Sequence, residues 1–254
     1  MKKWSLKGKK AFITGGTKGI GLEIVSDFLK LGADVITISR SEDNVALILD
    51  RFKGENLEAF VCDVSLKESR QEVIRLLGKK LQKLDILVNN AGTNIRKKSY
   101  DYSEEEIRQL FELNYFATVD FCRGLLPLLR LSDGGSIVNI SSVASMIDVG
   151  TGFPYASAKS AMNQFTKSLA AEWGIYKIRV NAVLPWFIKT PLTEGYLADE
   201  ERYQRIIKRT PLNRVGTPDE LSALVTFLAM DISSYITGQT IAVDGGVMAS
   251  VFGE

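Results

Sequence analysis

The chain has 254 residues, 45% hydrophobic and 24% charged, with 32 basic against 30 acidic side chains and a formal net charge of +2. Such a chain is long enough to bury a large core without disulfides, and it lacks both the basic footprint of a nucleic-acid binder and a polybasic membrane anchor. It contains no histidine, which excludes histidine-based zinc sites and any Ser-His-Asp triad; no metal site is expected.

The first residues, MKKWSLKGKK, are basic but lead into an apolar run of only AFI, too short for a secretory signal. No stretch approaches ~18 uninterrupted apolar residues, so a soluble, cytoplasmic protein is expected. KAFIT (10–14) reads as the first strand, and TGGTKGIG (14–21) follows it. A glycine-rich turn between a first strand and a first helix lets backbone N–H groups approach a pyrophosphate at the helix N-terminus. Gly15, Gly19 and Gly21 are spaced G-x-x-x-G-x-G, not the commoner G-x-G-x-x-G. A helix over 19–31 reaches Gly32, a C-cap position.

The second strand, DVITIS (34–39), runs out through Ser39, Arg40 and Ser41. An acid at this point would bind the ribose 2′-hydroxyl of NAD, whereas an arginine accommodates the 2′-phosphate of NADP. Lys18, inside the glycine turn, is a second cation for that phosphate. The pattern therefore favours NADP(H) as cofactor.

Helices over 41–52 and 66–81 alternate with strands LEAFVC (57–62) and LDILVN (84–89). A long helical stretch, 103–131, opens on SEEE, an N-cap with an acidic first turn. Strand GSIVNI (135–140), a helix over 154–173 ending at Gly174, and strand IRVNAV (178–183) come next. A helix over 217–230, opened by Thr217 and Pro218, and strand QTIAVD (239–244) complete the series. The strands are short and β-branched, and most lack polar alternation, as expected of strands buried on both faces. Cys62 and Cys122 sit beside apolar residues and read as reduced core thiols. With no repeat, low-complexity tract or linker, the order implies one α/β domain (1–254) of Rossmann type. Its sheet is doubly wound and parallel, of about seven strands, with helices on both faces. Residues 184–216 interrupt the alternation with three prolines. They read as a substrate loop or lid, with a short helix over 197–209.

YASAK (155–159) places Tyr155 and Lys159 on one helix face. By itself this is a common surface pairing. Here it follows TGGTKGIG, CDVS (62–65), NNAG (89–92), Asn114 in ELNYFA, and NISS (139–142), and it precedes DGG (244–246). In that combination the chain resembles the short-chain dehydrogenase/reductase family over essentially its whole length. Within the family it is closest in pattern to tropinone reductase-like proteins, with gluconate 5-dehydrogenases and 3-oxoacyl-ACP reductases near by.

The resemblance implies a catalytic set of Asn114, Ser142, Tyr155 and Lys159. Tyr155 would be the general acid/base, Ser142 would hold the substrate carbonyl, Lys159 would assist, and Asn114 would position a water linking Lys159 to solvent. Ser142 lies 13 residues before Tyr155 and is preferred to Ser141 on that spacing. Thr17, Lys18, Gly19 and Ile20 would join Gly15 and Gly21 at the cofactor. Asp63, with Val64 beside it, would contact the adenine, and Asn90, Ala91 and Gly92 the ribose side. Pro185, Ile188 and Thr190 would face the nicotinamide. Many members have glycine after Pro185; here Trp186 would close the substrate pocket or pack beneath the loop. A homo-oligomer, dimer or tetramer, is also implied, built on 103–131, 154–173 and the terminal GGVMASVFGE.

The chemistry fits. A phenol titrates near ~10, and Lys159 one turn away is expected to favour the phenolate and lower that value. Ser142 would donate a hydrogen bond where oxygen charge grows. The expectation is NADPH-dependent reduction of a small ketone to a secondary alcohol, as in a tropinone reductase-like carbonyl reductase. A sugar-acid dehydrogenase like the gluconate 5-dehydrogenases and a 3-oxoacyl-ACP reductase are the enzymic alternatives, and an NADP-binding sensor without turnover is the non-enzymic one. Arg96 could attract an anionic substrate or stand in a solvated loop. Asp148 could pair with an amine-bearing substrate. DEERYQRIIKR (199–209) reads as the charged outer face of the lid.

Overall fold

Alternate residues of each strand meet apolar cover on opposite sides of a single sheet, which is why polar alternation is missing. The computed structural model describes residues 4–250. Its strands are β1 (Lys10–Thr14), β2 (Asp34–Ser39), β3 (Leu57–Val61), β4 (Ile86–Asn89), β5 (Ser136–Ile140), β6 (Arg179–Pro185) and β7 (Thr240–Val243). They pair in parallel in the order β3-β2-β1-β4-β5-β6-β7. Ala11, Ile13, Val35 and Val88 pack into one apolar layer; Phe12, Ile36, Leu87 and Ile137 pack into the other.

The helices are α1 (Gly19–Lys30), α2 (Glu42–Arg51), α3 (Lys67–Lys80), α4 (Glu104–Phe111), α5 (Ala117–Leu129), α6 (Phe153–Trp173), α7 (Pro191–Leu197), α8 (Glu200–Lys208) and α9 (Pro218–Ala229). Phe28 of α1, Ile48 of α2 and Val225 of α9 sit in the first layer. Leu77 of α3, Phe121 of α5 and Leu169 of α6 sit in the second. Strand order reverses between β1 and β4, so a crevice opens beyond their carboxyl ends, where such sheets bind ligands.

Several local expectations need correction. The stretch 103–131 is not one helix. Ser103 caps α4, with the reciprocal bond from Glu106, and a π-turn over Glu112–Phe116 separates it from α5. Gly32 has the left-handed φ of +86° expected of a C-cap. Gly174 does not: its φ is −55°, and the left-handed residue is Lys177, at φ 58°. The segment 184–216 carries two helices, not one, because Thr190 with Pro191 starts α7 and Asp199 starts α8. Cys62 and Cys122 are buried free thiols, and burial pushes them up to about 11 and about 12. Residues 1–3 and 251–254, including the end of GGVMASVFGE, lie outside the described residues; Val247 is buried within them. No described helix is long and apolar enough to cross a membrane.

Candidate active site

A cleft of about 460 Å³ runs over the carboxyl ends of the strands, from the glycine turn to α7. At one end, Asn90 after β4 ties the turn to its neighbour: its Nδ2 donates to the Thr14 and Gly15 carbonyls at 2.9 and 3.1 Å. Gly15 takes a φ of +68°, and a Cβ there would meet Ala91 Cα at 3.2 Å. Gly21 plays a different part from the one expected. It does not line the cleft. A Cβ on it would sit 2.2 Å from the Gly15 carbonyl oxygen, so its role is to let α1 pack against the turn.

Thr17, Lys18, Gly19, Ile20, Ser39 and Arg40 line this end, as do Asp63, Val64, Asn90, Ala91 and Gly92. Ser41 does not; its hydroxyl accepts from Asn44 N at 3.3 Å and caps α2. Lys18 and Arg40 are exposed, and neither is in an ion pair among the described residues. A backbone cradle that a side chain would fill, two cations without ion pairs and no acid at the end of β2 together fit a phosphorylated dinucleotide.

At the other end, Ser142, Tyr155, Lys159, Pro185, Trp186, Ile188 and Thr190 share the cleft wall. The neighbouring serines face different ways. Ser141 Oγ donates to the Lys159 carbonyl at 3.2 Å, whereas Ser142 lines the cleft beside Tyr155 and its Oγ accepts from Ala144 N at 3.1 Å. Lys159 is buried, and its Nζ donates to the Ile140 carbonyl at 2.8 Å, 5.8 Å from the centre of the Tyr155 ring.

The electrostatics differ from the expectation. Burial pushes the Tyr155 phenol up, and the opposing pull comes from the Ser142 hydrogen bond and the Arg96 charge, not from Lys159. Lys159 is itself lowered to about 7 by burial, so near neutrality it is a weaker cation than an exposed lysine.

Asn114 does not line the cleft. It is fully buried, with Nδ2 donating to the carbonyls of Leu110 and Thr93 and Oδ1 accepting from Thr93 N. Gly92 lies between it and Lys159: a Cβ there would meet Asn114 Oδ1 at 2.8 Å and Lys159 Nζ at 3.6 Å.

Trp186 satisfies both alternatives. It lines the pocket, packs edge-on to Phe187 at 4.8 Å, and donates from Nε1 to Thr210 Oγ1 at 3.1 Å. Asp148 is exposed and outside the cleft; its Oδ1 accepts from Gly150 N. Asn94, Thr151, Phe187, Leu192 and Tyr196 line the substrate end without having been singled out from sequence. No spacing rule reports them, because α7 and the 149–151 loop are placed by tertiary contacts.

One such contact links the loop after β4 to α6. The Tyr102 hydroxyl accepts from Lys97 N and donates to the Ile95 carbonyl. It occupies the space of a Cβ on Gly152, which has a φ of +95°.

A family model described as enoyl-(acyl carrier protein) reductase matches residues 15–248. The chain belongs to the short-chain dehydrogenase/reductase family. Members of this family bind a nicotinamide cofactor. A tropinone reductase homologue of Arabidopsis thaliana is 44% identical, over 99% of this chain and 96% of the relative. One of Datura stramonium is 42% identical, also over 99% and 96%. The gluconate 5-dehydrogenase from Burkholderia cenocepacia J2315, solved with NADP and tartrate, is 31% identical with a TM-score of 0.93, over 98% of this chain and 99% of that one.

Proposed function

We propose that this family member uses NADPH to reduce a small ketone to a secondary alcohol, and runs the reverse reaction with NADP⁺. The observation that carries the reading is the meeting of Ser142, Tyr155 and Lys159 in one cleft whose far end holds the glycine turn, Lys18 and Arg40. When bound, the cofactor supplies the hydride. Lys18 and Arg40 would hold its 2′-phosphate, Asp63 its adenine end, Asn90 to Gly92 its ribose side, and Ile188 and Thr190 its carboxamide.

The chain's own residues handle the oxygen and the proton. Ser142 Oγ donates a hydrogen bond to the carbonyl oxygen, where negative charge grows. Tyr155 Oη gives that oxygen its proton. The phenolate left behind would regain a proton by way of Lys159 Nζ, with Asn114 Oδ1 close by across Gly92 as the expected anchor of a relaying water. Burial of Tyr155 favours the protonated phenol in the free cleft, the form needed for reduction. Trp186 walls one side of the substrate end.

Tyr155→Phe is expected to abolish turnover while leaving NADPH binding nearly intact, read by absorbance at the nicotinamide band and by fluorescence titration. An active phenylalanine variant would sink the assignment of Tyr155. Intact NADPH binding with no turnover of any ketone by the parent protein would instead favour a sensor.

A further inference from the structure

The helix that carries Tyr155 and Lys159 carries a third polar residue on the same stripe. Tyr155, Lys159 and Asn163 follow one another at four-residue intervals along α6. Unlike the other two, Asn163 does not line the cleft. It is 5% exposed. Its Nδ2 donates to Ser145 Oγ at 2.7 Å and to Met146 Sδ at 3.6 Å, so both amide hydrogens are in use. Its Oδ1 is buried with no hydrogen-bond partner.

A buried acceptor without a partner costs free energy that an apolar side chain of similar size would not. Packing therefore gives no reason for an amide at this position, whereas its N–H groups do. An amide nitrogen can only donate. Ser145 Oγ accepts that bond, and its own proton goes to the Ser142 carbonyl. The same carbonyl accepts from Ser145 N at 3.0 Å. Ser160, also on α6, donates from Oγ to the Ser145 carbonyl at 2.8 Å. On the strand side, Ser141 N donates to the Val183 carbonyl of β6 at 2.8 Å. Ser142 thus stands between a residue fixed to the sheet and a turn fixed to α6. Its Oγ accepts from Ala144 N, which leaves the hydroxyl proton to be given to a substrate oxygen.

We propose that Asn163 is a positioning residue for the carbonyl anchor. From the helix bearing Tyr155 it holds the 142–145 turn through Ser145, so that Ser142 and the proton donor meet one substrate oxygen together. Asn163 itself touches neither substrate nor cofactor. The inference rests on the ketone-reducing reading of the cleft.

The test compares Asn163→Leu and Ser145→Ala, each alone and combined with Ser142→Ala. NADPH oxidation is followed with tropinone, 5-ketogluconate and an acetoacetyl thioester. With the ketone that the parent protein reduces best, kcat should fall about 10- to 100-fold in Asn163→Leu, the scale of a misplaced oxyanion donor. The dissociation constant of NADPH should not move, and the melting temperature should hold or rise, because the unpaired acceptor is gone. Ser145→Ala, which cuts the same link at its other end, should reproduce the loss in kcat. Where Ser142→Ala has already removed the anchor, Asn163→Leu should change the residual rate less than about twofold. Parent-like kcat in Asn163→Leu, or a loss that persists undiminished without the Ser142 hydroxyl, would overturn the proposal. Hydrogen exchange supplies a readout independent of turnover. The amides of Ser145 and Met146 should exchange ~10-fold faster in Asn163→Leu, while those of Ile137 and Val138 in β5 keep their protection. Unchanged exchange in the turn would refute the link to Ser142 even if rates fell. Silence of the parent with every ketone would fell the reductase reading and the positioning role with it, whereas faster exchange would still show that Asn163 holds the turn.

Discussion

Lys159 pays for its position with its proton. A buried ammonium loses most of its hydration, and one hydrogen bond to the Ile140 carbonyl does not replace it, so its value falls from 10.5 to about 7. Between those two values the unfolded chain holds this proton and the folded protein does not. Stability therefore rises with pH across that window, and below it the full cost of burying the charge is present. The melting temperature of the cofactor-free protein should climb between about pH 7 and pH 9, and Lys159→Met, with no proton to lose, should flatten that climb. Equal slopes in the two proteins would refute the assignment. That Ser142, Tyr155 and Lys159 line one cleft was expected from the family resemblance, with one helical turn placing Tyr155 and Lys159 on a shared face. The direction of the Lys159 side chain was not. A helical spacing says which residues share a face, not which carbonyl an amine finds.

At the scale of elements, Arg70 binds three pieces together. It is 1% exposed on α3. Its Nη1 donates to the Val64 carbonyl at 2.8 Å, its Nε to Asp120 of α5 at 2.9 Å, and its Nη2 to Glu112 at the start of the π-turn. The exit of β3, the turn carrying Asn114 and the long helix behind it are thus held by one guanidinium. Arg70→Met would leave two carboxylates facing each other. Both are partly exposed, so the expected loss is about 2 kcal/mol, below the range for a fully buried pair. Urea denaturation would read it, and adding Glu112→Gln and Asp120→Asn should recover part of the loss. A fully stable Arg70→Met would mean that the carboxylates are solvated. The capping boxes at Ser103 and Thr217 were readable because their causes lie within four residues of chain. The π-turn was not, since Asn114 is held by Thr93 from another loop.

Across the whole molecule, the cleft spans the point where the sheet reverses its strand order, so a ligand lying in it touches both halves. Occupancy should stabilise the entire fold. At a concentration ~100 times its dissociation constant, a ligand specific for the folded state adds about 2.7 kcal/mol, worth roughly 5–10 °C in a chain of this size. NADPH should raise the melting temperature by that order and NADH, at the same concentration, by much less. The reverse ranking would remove Lys18 and Arg40 as phosphate readers. The fold and the place of the cleft were legible from strand and helix order, because strands buried on both faces permit little else. The segment 184–216 was only half legible. The caps of α7 and α8 are local, but Tyr196, Phe187 and Trp186 are placed by contacts with Arg96 and Thr210.

The Tyr102 hydroxyl in the space at Gly152 has a consequence for anyone redesigning this protein. Arg96 looks like a residue that could be exchanged by grafting the loop after β4 from a relative. Yet that loop is keyed through Tyr102 to the start of the helix bearing Tyr155. A graft that brings a different residue at either position is expected to tilt the helix bearing Tyr155 along with the charge. The portable unit is the loop together with Tyr102 and Gly152, and swaps that respect this boundary should leave Tyr155 in place.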